Sequence, residues 1–125
     1  MAEKPSLRLF FPRSSRLKSR GEFARAKAKG LRLVCGCLIA NVLPRPPGQT
    51  SRLGVVTSKR IGGAVIRSRA RRLLREGFRL HQRELMRPVD LVLVARPSIA
   101  GKKLAEVEMD LLRVLRQARL DVASA

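Results

Sequence analysis

The stretch LGVVTSKRIGGAVIRSRARRLLREGFRLHQRELMRPVDLVLVA, residues 53–95, contains two apolar segments separated by a long arginine-rich one. The first segment, residues 53–58, is rich in valine and predicts a strand. The second, residues 90–95, is almost continuously apolar and predicts a strand of the buried kind. Between them, apolar residues recur at helical spacing from about Arg67 to Met86, and Pro88 ends the pattern. The order strand, helix, strand permits a parallel pairing of the two strands.

The predicted helix has two chemically different sides. Its apolar side, which we expect to pack on the sheet, contains Ala70, Leu73, Leu74, Gly77, Phe78, Leu80, His81 and Leu85. Its basic side contains Arg71, Arg72, Arg75, Arg79 and Arg83. We therefore expect Phe78 in the core and His81 as a packed histidine rather than a general base.

The residues before this stretch predict a basic arm and a short helix. Residues 1–15, which are rich in proline, serine and basic residues, predict an extended arm. Ser19 and Glu22 have the spacing of a capping box, so we expect a helix from Gly21 to Lys29 that Gly30 closes.

An apolar run from Leu33 to Leu43 predicts a single strand, which Pro44 ends. Cys35 and Cys37, the only cysteines of the chain, fall within this run. An intrachain disulfide between residues so close in sequence has poor geometry. We therefore expect both to be reduced and to lie on opposite faces of the strand.

The end of the chain predicts a last helix, from about Lys102 to Leu120, followed by a tail at residues 121–125. Its buried side contains Leu104, Val107, Leu111, Leu115 and Ala118. The full order of helix, strand, strand, helix, strand, helix is typical of a single-domain α+β protein, with helices packed on a central sheet. We expect this domain to span residues 16–120.

The charge of the chain favours a polyanionic partner. The net charge is +19, and residues 1–103 hold 25 basic and 5 acidic residues, against 3 and 4 in residues 104–125. Nucleic acid is the first candidate partner and an anionic membrane the second. Arginine outnumbers lysine, which suits forked contacts to phosphates and base edges and favours structured RNA.

Several other classes of function lack the residues that they need. One histidine and two cysteines cannot assemble a metal site of zinc type. Glu76 and Glu84 have no neighbouring carboxylates, which does not support a two-metal nuclease site on the protein. We expect Glu76 to pair with Lys59, Arg72 or Arg79 instead. No apolar stretch approaches membrane-spanning length, and no signal peptide is evident, so we expect a cytoplasmic protein.

The segment Ser58–Glu76, SKRIGGAVIRSRARRLLRE, combines features of a phosphate-binding site. Its glycines permit close approach of a ligand to the backbone, and Ser68 is expected to cap the helix N-terminus. The first helical amides then add positive potential to the arginines. The alternative interpretation is a solvated basic face on an ordinary amphipathic helix.

The same residues resemble the signature of the bacterial ribonuclease P protein component, approximately SKKxGxAVxRNRxxRxxRE. The matching positions are Ser58, Lys59, Gly62, Ala64, Val65, Arg67, Arg69, Arg72, Arg75 and Glu76. The chain differs at Arg60, where the signature has lysine, and at Ser68, where it has asparagine. The resemblance extends from about Phe11 to Arg119 and includes Glu22-Phe23 and residues 90–97.

The resemblance implies a sandwich of helices and a central mixed sheet, with a left-handed strand-helix-strand crossover, known as the ribosomal protein S5 domain 2-like fold. It also implies a ribonucleoprotein enzyme in which a catalytic RNA, with bound magnesium, removes the 5′ leader from precursor tRNA. The implied partners are that RNA and precursor tRNA, and the protein itself is expected to hold no catalytic residue, metal or other cofactor.

The resemblance further implies two binding sites for RNA. The catalytic RNA would contact Lys59, Arg60, Arg67, Ser68, Arg69, Arg71, Arg72 and Arg75. The leader would lie in a cleft between the first helix and the sheet, at Arg16, Phe23 and Lys27. Phe23 matches a family aromatic of this cleft, although a core position for Phe23 is an equally open interpretation. Lys27 stands where the family often has another aromatic, so leader binding is expected to rest more on charge than on stacking.

Two other kinds of function remain open at this point. A structural ribosomal-type RNA-binding protein would share the size, charge and α+β class. A DNA-packaging protein is less favoured, because neither a dimerising element nor a helix-turn-helix spacing is evident.

Overall fold

A mixed sheet of four strands lies at the centre of the computed structural model, which describes residues 16–118 and residue 120. In chain order the strands are β1 (Leu31–Cys35), β2 (Leu38–Pro44), β3 (Arg52–Val56) and β4 (Val89–Ala95). The helices are α1 (Arg20–Lys29), α2 (Ala64–His81) and α3 (Leu104–Gln117). The predicted α+β class is confirmed, whereas the predicted arm at residues 1–15 and the tail at residues 121–125 lie outside the described residues.

The order of strands across the sheet is β1, β2, β4, β3. Strand β4 pairs antiparallel with β2 and parallel with β3. Because parallel neighbours cannot be joined by a tight turn, the chain crosses from β3 to β4 through α2. The strand-helix-strand unit predicted from residues 53–95 is therefore confirmed.

Side chains alternate between the two faces of the sheet and enter two separate cores. The larger core, under α2 and α3, includes Leu38, Leu53, Leu74, Phe78, Leu91, Leu93, Leu111 and Leu115. The smaller core, under α1, includes Leu17, Phe23, Ala26, Val92 and Val94. Each fully buried leucine stabilises the fold by about 2 kcal/mol. Helices α2 and α3 are therefore held by much more buried apolar surface than α1.

The predicted single strand from Leu33 to Leu43 is wrong, because a tight turn divides it into β1 and β2. Gly36 adopts a φ of +57° in this turn, which favours glycine. The backbone N–H of Cys37 donates to the carboxylate of Asp110, in α3, over 3.0 Å. That carboxylate also fills the space beside Gly36, so the turn depends on a residue distant in sequence.

The predicted placement of the cysteines on opposite faces of one strand is wrong for the same reason. Cys35 ends β1 and Cys37 lies in the turn, and both are free and buried. Burial, reinforced by Asp110, raises the pKa of the Cys37 thiol to about 12. Cys37 is therefore an unreactive thiol at neutral pH.

Helix α1 begins one residue earlier than predicted and ends at Lys29 as predicted, whereas α2 both begins and ends earlier than predicted. The amide of Glu22 donates to Ser19 Oγ and the amide of Ser19 donates to Glu22 Oε1, both over 3.1 Å, which confirms the capping box. Helix α2 starts at Ala64, after Gly63, so Ser68 lies inside the helix and the predicted cap is wrong. The apolar pattern missed this first turn because Val65 is exposed to solvent.

Candidate RNA interface

A short turn, held by a hydrogen bond and by a buried side chain, connects β3 to α2. Ser58 Oγ accepts a hydrogen bond from the amide of Arg60 over 3.3 Å, and Ile61 anchors the turn in the core. Gly62 has a φ of +138°, and a Cβ there would lie 2.7 Å from Ile66 Cδ1. This position therefore requires glycine, and the turn leaves Lys59 and Arg60 exposed beside the start of the helix.

The N-terminus of α2 is arranged for an anion. Gly63 provides no side-chain cap, and the first turn contains no acidic residue. The first amides of a helix have no partner inside the helix, and they carry the positive end of its dipole. A phosphate group can satisfy both features.

Arg67, Arg71 and Arg75 form an inner row along α2, on the side toward β3. Arg67 Nη1 donates to the carbonyl of Gly62 over 3.0 Å. Arg71 Nη1 donates to Thr57 Oγ1 over 2.7 Å, and its Nη2 donates to Ser68 Oγ over 3.1 Å. The protein thus fixes two guanidinium groups in place, while each keeps further N–H donors for a ligand.

Arg75 marks the point where the inner row approaches Arg16. Burial and the positive charges of Arg16 and Arg71 lower the pKa of Arg75. Arg16 forms a parallel bridge with Leu53, at the outer edge of β3. The family resemblance assigned Arg16 to the leader cleft and Arg75 to the RNA-binding helix, but the structure places Arg16 near enough to Arg75 for its charge to lower that pKa.

An outer row, at positions 65, 68, 69 and 72, lies on the adjoining side of α2. Within residues 16–118 and residue 120, Arg69 and Arg72 form no hydrogen bond or ion pair. Their donors are therefore uncommitted in the described structure. We use the name arginine face for the surface formed by Lys59, Arg60, Arg67, Ser68, Arg69, Arg71, Arg72 and Arg75.

The basic character of α2 decreases toward its C-terminal end, where acidic partners occur. Arg79 Nε donates to Glu76 Oε1 over 3.0 Å, which confirms one of the three predicted partners of Glu76. His81 is half-buried and contacts two carboxylates, Glu84 over 2.6 Å and Glu108 over 2.9 Å. Burial opposes the charged form, but these two hydrogen bonds outweigh it and raise the pKa of His81. His81 therefore joins α2 to α3.

A cleft of about 340 Å³ lies on the opposite face of the sheet, beside α1. Its lining residues are Phe23, Lys27, Arg32, Ile39, Asn41, Val56, Val92 and Val94. Helix α1 covers part of this face and leaves the rest as an apolar floor, with Lys27 and Arg32 as its positive charges. Phe23 and Lys27 both line this cleft, whereas Arg16 is not among its lining residues.

Phe23 belongs both to the small core and to the cleft. Its ring lies against Gly54, where an added Cβ would be 2.5 Å from Phe23 Cε1. Glycine at position 54 therefore lets the ring lie directly on the backbone of β3. The ring is only half-buried, so part of it still faces the cleft.

Asn41 is a polar member of the cleft that was not predicted from the sequence. It is 4% exposed, and its Oδ1 is the one buried side-chain nitrogen or oxygen atom without a hydrogen-bond partner in the described part of the chain. An unpaired buried acceptor costs about 1–3 kcal/mol. A polar residue inside the apolar run LIANVL was the signal that could have identified it.

An ion-pair network fixes α1 over the sheet and thereby sets one wall of the cleft. Arg52 Nε and Nη2 donate to the two carboxylate oxygens of Asp90, each over 2.8 Å. Arg52 Nη1 donates to Glu22 Oε2 over 2.7 Å. Hydrogen bonds from the amides of Lys18 and Ser19, together with Arg52, lower the pKa of Glu22. Glu22 precedes Phe23, so the network positions the aromatic ring.

Two kinds of feature are absent from residues 16–118 and residue 120. No group of three or more His, Cys, Asp or Glu side chains that could hold a metal ion occurs there. No helix in this part of the chain is long and apolar enough to cross a membrane.

Comparison with known proteins identifies one family. The family model described as ribonuclease P matches residues 11–119. The ribonuclease P protein component of Gluconacetobacter diazotrophicus is 38% identical over 107 residues, which cover 85% of this chain and 92% of that protein. The protein component of Desulfovibrio desulfuricans is 39% identical over 113 residues, covering 88% and 87%.

Solved structures show the same fold. The RNase P protein of Staphylococcus aureus superposes with a TM-score of 0.77 at 25% identity, covering 86% of this chain and 97% of that one. The RNase P protein of Thermotoga maritima gives a TM-score of 0.72 at 24% identity, covering 82% and 96%, and supports the fold alone. These matches do not favour the structural ribosomal-type alternative.

Proposed function

Since the chain belongs to the ribonuclease P protein component family, and is therefore part of a tRNA-processing ribonuclease, we propose that its two basic surfaces divide the binding of RNA. The arginine face docks on the ribonuclease P RNA. The cleft beside α1 holds the 5′ leader of precursor tRNA.

The arginine face carries the first half of this proposal. Arg67 and Arg71 are held in place by protein oxygens, so little side-chain entropy is lost when their remaining donors bind phosphate. Arg69 and Arg72 are uncommitted in the described structure. Fixed and uncommitted guanidinium groups beside a helix N-terminus are well suited to several phosphates of a folded RNA.

The cleft supports the second half. An extended, single-stranded nucleic acid presents flat bases and a charged backbone, and aromatic and apolar surfaces flanked by basic residues bind both. Phe23 and the valine floor provide the apolar surface, and Lys27 and Arg32 provide the charge. Asn41 adds a side-chain amide, a group able to form hydrogen bonds, to the lining of the cleft.

We assign the cleavage chemistry to the RNA subunit, with magnesium ions held by that RNA, as the family resemblance implies. The protein contributes by binding and orienting the two RNAs. Bacterial tRNA matures in the cytoplasm, which is the proposed place of action.

The test has two steps. Sequencing the RNA that co-purifies with the native protein is expected to identify a ribonuclease P RNA. Cleavage of precursor tRNA is then measured with the protein alone, with the RNA alone and with both, at low magnesium. We expect no cleavage by the protein alone and a strong gain when it joins the RNA. Cleavage by the purified protein alone would contradict the proposal.

A further inference from the structure

A large apolar side chain stands in solvent at the start of the arginine face. Val65 is 84% exposed, the highest value among the large apolar residues of the described chain, and its neighbour Ile66 is 41% exposed. Scattered apolar residues on a surface are ordinary. Val65 differs because it lies in the first turn of α2, on the same side of the helix as Arg69 and Arg72.

Val65 also lines a shallow groove of about 320 Å³, together with Ala64, Ser68, Arg69 and Arg72. Ala64 and Val65 contribute aliphatic groups to this groove. Arg69 and Arg72 contribute guanidinium groups that have no partner in the described structure. The groove is therefore suited to a ligand that has a flat or apolar part next to an anionic part.

We propose that this groove holds one unstacked nucleobase of the partner RNA, with Val65 against the face of the base and Arg69 and Arg72 on the adjoining phosphates. Unpaired bases of a folded RNA can be splayed out and bound by side chains, and apolar side chains contact such bases directly. The charge of the surrounding surface favours a nucleotide over an acidic protein segment, because each nucleoside of an RNA chain has a phosphate on both its 5′ and its 3′ side. The inference rests on the proposed docking of the arginine face on RNA.

The test compares three variants: Val65→Thr, Arg72→Ala and Met109→Gln. Threonine keeps the shape of the valine side chain and replaces one methyl group with a hydroxyl. Met109 lies on α3, is 58% exposed and serves as the matched control for loss of an exposed apolar group. The affinity of each variant for the co-purified ribonuclease P RNA is measured over a series of salt concentrations, and thermal melting checks that each variant is folded.

We expect Val65→Thr to weaken binding about three- to tenfold, since one apolar contact is lost. Its salt dependence should match that of the wild type, because no phosphate contact is removed. Arg72→Ala should weaken binding and flatten the slope of log affinity against log salt by about 1. Met109→Gln should change neither quantity.

The outcomes separate two failures. If Arg72→Ala acts as expected and Val65→Thr binds like the wild type, the base contact is wrong while docking of the arginine face stands. If Arg72→Ala also has no effect, the arginine face is not the docking surface and the proposed function fails with it. A flattened salt slope for Val65→Thr would likewise overturn the base contact.

Discussion

The arginine face and the cleft lie on different sides of the sheet and would bind a polyanion by different physical means. The arginine face concentrates positive charge, with Arg67 and Arg71 held by protein oxygens. The cleft has an apolar floor, one aromatic ring, two basic residues and an unpaired acceptor on Asn41. Charge-based binding releases counterions and depends steeply on salt, whereas stacking and apolar contact do not.

The two surfaces meet at the end of β3. Val56 lines the cleft, and the next residue, Thr57, accepts a hydrogen bond from Arg71 on the arginine face. The positive charge of Arg16, which lies beside β3, contributes to the lowered pKa of Arg75 on the arginine face. One strand end thus connects the two surfaces, so RNAs bound to each would lie close together.

The largest expected effect comes from changing Arg67, Arg71 and Arg75 together to alanine. Loss of three cationic contacts should weaken binding to the ribonuclease P RNA by about 100-fold or more at moderate salt and flatten the salt slope by about 2 to 3. Binding titrations at four or five salt concentrations measure both quantities. An unchanged slope would show that this row does not contact phosphates.

Phe23→Ala should act on the cleft alone. Stacking of a base on an aromatic ring contributes about 1–3 kcal/mol, so precursor tRNA should bind the holoenzyme about tenfold more weakly. Binding of mature tRNA, which has no leader, should be spared. Because the alanine also leaves a gap above Gly54, Phe23→Leu serves as a second variant that keeps much of the packing. If the affinities for precursor and mature tRNA fell equally, Phe23 would have only a structural role.

Asn41→Leu should move stability and binding in opposite directions. An apolar side chain of similar size removes the unpaired acceptor, which should stabilise the free protein by about 1–3 kcal/mol. Precursor tRNA should bind a few-fold more weakly, while mature tRNA and the salt slope stay unchanged. Chemical denaturation and binding titration measure the two effects. A variant that is more stable and binds the leader normally would exclude Asn41 from the contact.

The smallest effect concerns the stability contributed by His81, which lies outside both surfaces. The pKa of His81 is raised above its ordinary value of 6.5 by Glu84 and Glu108. The stabilisation is therefore complete below about pH 6.5 and is lost as the pH rises through the folded-state pKa. Unfolding free energies from pH 6 to pH 9 should show this loss, and His81→Gln should abolish it. If His81→Gln retained the same pH dependence, another group would be responsible.

The sequence predicted those elements whose structure depends on residues close to one another in the chain. The period of the apolar residues predicted the strand-helix-strand unit, and the Ser19 and Glu22 spacing predicted the first helix with its cap. The prediction failed where a distant residue completes a turn. Asp110 stabilises the turn at Gly36 and Cys37, and no pattern near position 36 reveals a carboxylate that follows more than 70 residues later.

In the candidate site, too, the part formed by one segment of the chain was predicted and the part formed by distant segments was not. The arginine face follows from the sequence of one helix, although Ser68 accepts a hydrogen bond from Arg71 instead of capping the helix. The cleft is assembled from α1 and all four strands, so its members are not adjacent in sequence. The family resemblance supplied Phe23 and Lys27, but only tertiary packing reveals Asn41 and the link between Arg16 and Arg75.

The division of roles between the two surfaces can be tested directly by site-specific cross-linking in the assembled holoenzyme. A photoreactive amino acid is placed at position 27, in the cleft, or at position 72, on the arginine face, and precursor tRNA is added before irradiation. We expect position 27 to cross-link to the 5′ leader and position 72 to the ribonuclease P RNA. Cross-linking of position 72 to the leader, or of position 27 to the ribonuclease P RNA alone, would contradict this division of roles.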